Sequence, residues 1–241
     1  MTWAAPRRAV GLALVPAMAL ALAACSSGSS SAGGGASAGH ALVGTFRLDA
    51  GSCSGSSASG TYFRMITPGG TVASGPFFQN PDSSCTDKTV TVATPGTDGG
   101  FVTGAYQPNP TPVFSATGSA LANRIIAPQP FTAINFGIST DPVDPQTGTH
   151  VPAPTITVNG SSLTGQIEAW AVSWNNQYFN QGTPKPNGSR PGLTSALSGT
   201  YDPASHAFVL TWASQVVGGP FNGFTGFWHL QGTFVPASSK S

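Results

Sequence analysis

Charge is what this sequence has least of. Only 7% of its 241 residues are Asp, Glu, Lys or Arg, against a norm of about 25%. Nine are basic and eight acidic, and two of the basic ones, Arg7 and Arg8, fall in a segment expected to be removed. The chain that remains is near neutrality. It has no basic field for phosphates, which excludes nucleic acid as a partner. Histidine is sparse and scattered: His40, His150, His206 and His229 show no paired ligand spacing, so no metal and no other cofactor is expected. Glutamate occurs once, as Glu168. A glycosidase needs two facing carboxylates. Its second would have to come from Asp49, Asp98 or Asp202, and the last two sit beside Gly or Pro, where Asp serves the turn itself. The apolar run from Ala9 to Ala24 has only 16 residues, too few to span a bilayer comfortably.

What is present is turn-forming and aromatic. Gly and Pro number 31 and 21, approaching the level of disordered chains. Fourteen Phe, five Trp and four Tyr act in the opposite direction, because they can fill a core large enough to offset chain entropy. Low charge with abundant Gly, Pro, Thr and Asn fits an extracytoplasmic β protein.

The N-terminus carries a basic pair, Arg7-Arg8, then the apolar run, then Leu22-Ala23-Ala24-Cys25. This resembles the lipobox of bacterial lipoproteins, with Leu22 three before the cysteine and small residues between. The resemblance covers the signal only. It implies that Cys25 is acylated, that the peptide is cut just before it, and that the mature protein is held on the extracytoplasmic side of the cell membrane. After the paired arginines, Ala9-Val10-Gly11 lacks the bulky apolar and basic residues of twin-arginine signals. Ser26 to His40 is a Ser/Gly/Ala tether reaching about 20 Å as a flexible coil. Within it, Gly35-Ala36-Ser37-Ala38-Gly39 matches the G-x-S-x-G of a nucleophile elbow but has no strand before it and no helix after it. The organisation expected is a signal peptide over 1–24, the lipidated cysteine and tether over 25–40, a β domain over 41–236 and a tail over 237–241.

The β reading is clearest from Leu197 to Val235. Phe208, Leu210 and Trp212 alternate onto one strand face, and Trp228, Leu230 and Phe234 onto another, the period of half-buried strands. Upstream, strands are expected over Ala41–Leu48, Thr61–Ile66, Thr89–Ala93, Phe101–Tyr106 and Phe131–Ile138, with a turn at Pro68-Gly69-Gly70. A short helix is predicted between Ser115 and Ile126. Asn159-Gly160 suits a type I′ hairpin turn, followed by one long strand from Leu163 to Trp174. Gly75-Pro76-Phe77 recurs as Gly219-Pro220-Phe221. The fold class is mainly β, a single antiparallel sandwich or closed barrel with long Gly/Pro-rich loops.

Cys53 and Cys85 are the cysteines left once Cys25 is the anchor, and in an oxidising compartment they are expected to pair. Asp141 and Asp144 in the proline-fixed loop could hold calcium, but their spacing fits no EF-hand. The candidate ligand surface is one face of the long strand, with Gln166, Glu168, Trp170 and Trp174, rimmed by Asn175, Asn176 and Tyr178. Aromatic faces with amides around them suit a neutral, hydroxyl-rich ligand such as an envelope glycan. The function expected is a non-enzymatic binding or envelope-interaction module. The alternatives are a glycan-active enzyme with Glu168 as acid/base, and a purely structural accessory lipoprotein.

Overall fold

The computed structural model describes residues 39–238. Cys25, the signal, nearly all of the tether and residues 239–241 lie outside the described residues. The chain opens with β1 (His40–Leu42) and β2 (Gly44–Leu48), then a small hairpin of β3 (Ser52–Ser54) and β4 (Ser57–Ser59). There follow β5 (Tyr62–Thr71), β6 (Gly75–Phe77), β7 (Thr91–Val92), β8 (Gly100–Val102), β9 (Gln129–Phe131) and β10 (Ile134–Thr140). Two hairpins come next, β11 (Thr155–Asn159) with β12 (Ser162–Gln166) and β13 (Trp170–Trp174) with β14 (Gln177–Asn180). β15 (Leu197–Tyr201), β16 (Ala207–Gln215) and β17 (Thr225–Pro236) complete it.

The fold is mainly β with antiparallel sheets, and the described residues contain no helix. Eleven strands form one sheet, in the order β1-β11-β12-β15-β16-β17-β2-β8, with β5 added beside β17 and carrying β6 and β7. Its axis is β17. One edge of this strand pairs with β16 over its first nine residues; the other pairs with β5 through Thr225–His229 and with β2 through Gly232–Pro236. The sheet curls into a half-barrel. Val43 alone separates β1, which pairs with β11, from β2, which pairs with β17. Gly44 makes that bend possible, since a Cβ there would collide with the Val235 carbonyl oxygen. Alternation buries Phe208, Leu210, Trp212, Trp228, Leu230 and Phe234 as expected, each at most 3% exposed. A second sheet, β14-β13-β10-β9, contributes Trp170, Trp174, Phe136 and Ile138 to the same core.

Cys53 and Cys85 form a disulfide, with Cα atoms 5.3 Å apart. It ties the β3–β4 hairpin to the loop before β7.

Several local expectations are corrected. The Ser115–Ile126 helix is absent, because its backbone groups bond to distant segments: Ala120 N–H to Asn135 O, and Asn123 O and Ile125 O to the N–H groups of Thr97 and Gly96. Gly118 sits at φ +85°, and Ala120, Ala122, Ile125 and Ile126 are buried. Tertiary packing overrides a weak propensity. The turn expected at Pro68–Gly70 lies later: β5 runs on to Thr71 through a register shift before pairing with Gly75. In the β11–β12 hairpin Asn159 pairs with Ser162, so Gly160 and Ser161 form the turn, and only Gly160 has a positive φ, +59°. That is type II′ geometry with Gly first. The long strand Leu163–Trp174 is two strands in two different sheets.

Candidate functional site

The break in that strand dismantles the predicted face. β12 loses its β15 partner after Gly165, and Ile167 N–H turns away to Thr183 O while Trp170 N–H closes a tight turn on Ile167 O. Gln166 spends its amide locally, donating to Ala153 O at 2.6 Å and accepting from Glu168 N–H at 3.0 Å. Glu168 lies in the turn, half-buried. Burial raises its carboxyl pKa above the ordinary value, and nearby Arg190 opposes the rise. Trp170 is 0% exposed, packed edge-on against Trp212 at 5.3 Å and beside Trp228 at 5.6 Å. It is core, and no ligand reaches it. Asn175 and Asn176, at φ +50° and +56°, are the two central residues of the β13–β14 hairpin. Their left-handed backbones form a type I′ turn, which accounts for the two asparagines. Tyr178 packs on Phe114 at 5.3 Å. The seven residues therefore do not converge, and the neutral-glycan reading loses its surface.

Trp174 is the exception. It belongs to a small cavity of about 40 Å³ between the two sheets. The inward faces supply the walls. Phe63 and Met65 come from β5, Phe136 from β10, Val172 and Trp174 from β13, and Trp228 from β17. Phe131, Phe179, Val216 and Phe221 complete the apolar lining. Trp174 is held in place by its indole N–H, which donates to Phe131 O at 2.9 Å. The two Gly-Pro-Phe segments meet here: Phe78, next to the first, packs on Phe221 of the second with centroids 5.4 Å apart. Phe221 also touches Phe131 at 5.6 Å and Trp174 at 5.5 Å. Phe78, Phe221 and Phe224 are only partly buried, so this cluster of rings reaches from the cavity to the surface.

One polar residue enters the lining, Gln181. It is 2% exposed, its Oε1 is buried without a partner, and the Trp228 indole N–H is likewise unpaired. Gln181 Nε2 donates to Asn180 O at 3.2 Å, and Gln181 O accepts from Trp212 Nε1 at 2.8 Å. The residue is fixed while its amide oxygen, packed against Gly226, has no hydrogen-bond partner. An unpaired buried acceptor costs about 1–3 kcal/mol, and a ligand with one donor would remove that cost.

Beside Gln181 lies a closed polar cluster. Lys185, 6% exposed, donates from Nζ to Asn180 O at 2.6 Å and to Ser214 Oγ at 2.8 Å. Ser214 Oγ donates to Gly182 O, and Asn180 Nδ2 donates to the fully buried Asp144 and to Glu168 O. Burial lowers the Lys185 pKa to about 7, with Asp144 opposing. Asp144 also accepts from Thr147 N–H and Oγ1, and Asp141 from Asn109 and Ser139. These carboxylates organise loops. Asp98 likewise pairs with Arg124 and Gln107. Among the described residues no three His, Cys, Asp or Glu side chains come together as a metal site.

Sequence reasoning missed Gln181, Phe63, Phe131 and Phe221 as site residues. The repeated Gly-Pro-Phe was a signal for Phe221 alone. Comparison with known protein families, curated proteins and solved structures gives no match.

Proposed function

We propose that the chain is a membrane-anchored, extracytoplasmic binding module, held through acylated Cys25, that takes a small apolar ligand bearing one hydrogen-bond donor. The observation that carries this reading is the unpaired Gln181 Oε1 in an otherwise apolar, aromatic-walled cavity. Apolar walls favour a ligand through burial of its surface, at about 25 cal/mol per Å², and the lone acceptor orients it. The lipobox-like Leu22–Cys25 supports the anchor. The half-barrel is read as a barrel closed by the bent β1–β2 strand, with the second sheet completing the ligand chamber. The reading is non-enzymatic. Glu168 stands in a turn beside Arg190, and Asp144, linked to its backbone through Asn180, is sealed from solvent.

Fluorine NMR of the mature protein with 4-fluorophenol and 4-fluorotoluene tests this. Both probes are apolar rings of similar size, larger than the cavity of about 40 Å³ and so requiring the partly buried Phe221 rim to yield, but only the phenol can donate to Gln181. Saturable binding of the phenol, at least tenfold weaker for the toluene and abolished by Val172→Phe, is the expected result. Equal binding of both, or none by either, contradicts it.

A further inference from the structure

The outer face of β5 carries a cation that no described carboxylate pairs with. Phe63 and Met65 point inward to the cavity, while Tyr62 and Arg64 alternate to the opposite face. β17 lies alongside, with His229 opposite Tyr62 and Phe227 opposite Arg64. The Tyr62 and His229 rings stack at 4.5 Å, with 8° between their planes. The Arg64 guanidinium lies over the Tyr62 ring at 5.7 Å and over Phe77 of β6 at 5.0 Å. Both distances are within the roughly 6 Å reach of cation–π attraction. Stacking on ring faces fixes the guanidinium plane but leaves the N–H groups in that plane unused. Arg64 Nε is in fact buried with no hydrogen-bond partner. The salt bridge among the described residues joins Arg124 to Asp98, so no carboxylate neutralises Arg64. His229 donates from Nδ1 to Gly60 O at 3.0 Å. Burial keeps its pKa below the ordinary histidine value, and Arg64 adds to that lowering. The positive charge of the patch is therefore that of Arg64.

The geometry points to a second binding site on this face, for an oxyanion, carboxylate or phosphate, held by the ring-stacked Arg64 guanidinium. A guanidinium fork matches two oxygens of either group, and because Nε is buried the two Nη groups are the ones that present it. The rings of Tyr62 and Phe77 hold the guanidinium in place. Arg47 and Arg190 also lack a salt bridge among the described residues, but Arg64 is the arginine held over aromatic rings, which marks it as a recognition element. The site lies on the opposite side of the sheet from the cavity and does not depend on what the cavity holds.

Titrating the mature protein with glucuronate, with glucose 1-phosphate and with glucose, followed through Tyr and Arg side-chain NMR resonances, tests it. The two acids report the two possible sources of the oxyanion. The expected result is saturable binding of at least one acid, at least tenfold weaker binding of glucose, and a tenfold or greater loss in Arg64→Gln. Arg64→Lys keeps the charge and most of the packing but not the fork, and should lose several-fold in affinity while folding normally. Binding of glucose as strong as of the acids, unchanged affinity in both variants, or no binding of either acid would overturn the assignment.

Discussion

Lys185 shows how far a single residue's surroundings can move its chemistry. Its ammonium is buried in a cluster whose nearest hydrogen-bond partners are a carbonyl and a hydroxyl, so burial outweighs Asp144 and the folded pKa falls to about 7. In the unfolded chain lysine titrates near 10.5. Between these values the unfolded state binds more protons, so stability rises with pH from about 7 towards 10, by at most about 1.4 kcal/mol per pH unit. Below pH 7 both states are protonated and the cost is fully present. Urea unfolding at pH 7, 8 and 9 should show that rise, and Lys185→Met should flatten it. Trp170 marks the other residue-scale contrast. Fully enclosed by Trp212 and Trp228, it should cost about 3–5 kcal/mol when replaced by Ala, seen as a lower denaturation midpoint. Gln181→Leu, by contrast, removes an unpaired acceptor and should leave stability unchanged or higher while weakening 4-fluorophenol binding at least tenfold.

At the scale of elements, turns decide the arrangement. Asn175 and Asn176 both occupy left-handed conformations, which Asn tolerates better than other residues with a Cβ. Asn175→Ala should therefore cost about 1 kcal/mol, measured by thermal or urea unfolding, with ligand binding intact. The disulfide acts similarly on the unfolded chain. Replacing Cys53 and Cys85 by Ala should cost roughly 3–4 kcal/mol on the chain-entropy model. The alternating faces of β16 and β17 were legible in the sequence, because period-two patterning and burial agree there residue by residue. The cysteine pairing followed from there being no other partners. The break at Ile167–Ala169 was not legible. Gln166-Ile167-Glu168-Ala169 alternates like a strand, and its bonds to Ala153 and Thr183, distant in sequence, help turn it. The cavity was invisible for the same reason. Its walls come from six strands and two loops, and the repeated Gly-Pro-Phe indicated a likeness between segments without indicating that they touch.

The whole molecule combines an anchor motif, a curled sheet and two unlike surfaces, an apolar chamber within and a lone cation outside. The anchor is tested by Cys25→Ser, which should release the protein from membranes or leave the signal uncut; mature variant still fractionating with membranes would contradict it. The central claim, that the chamber between the sheets is where a ligand binds, is tested most directly by the indole N–H resonances of the mature protein during a 4-fluorophenol titration. Its four tryptophans, Trp170, Trp174, Trp212 and Trp228, report from different depths. Saturable shifts of Trp174 and Trp228, with Trp212 held unchanged by its bond to Gln181 O, are the result predicted. Indole resonances that stay fixed while Tyr62 or other surface rings shift would place the ligand elsewhere and contradict the account.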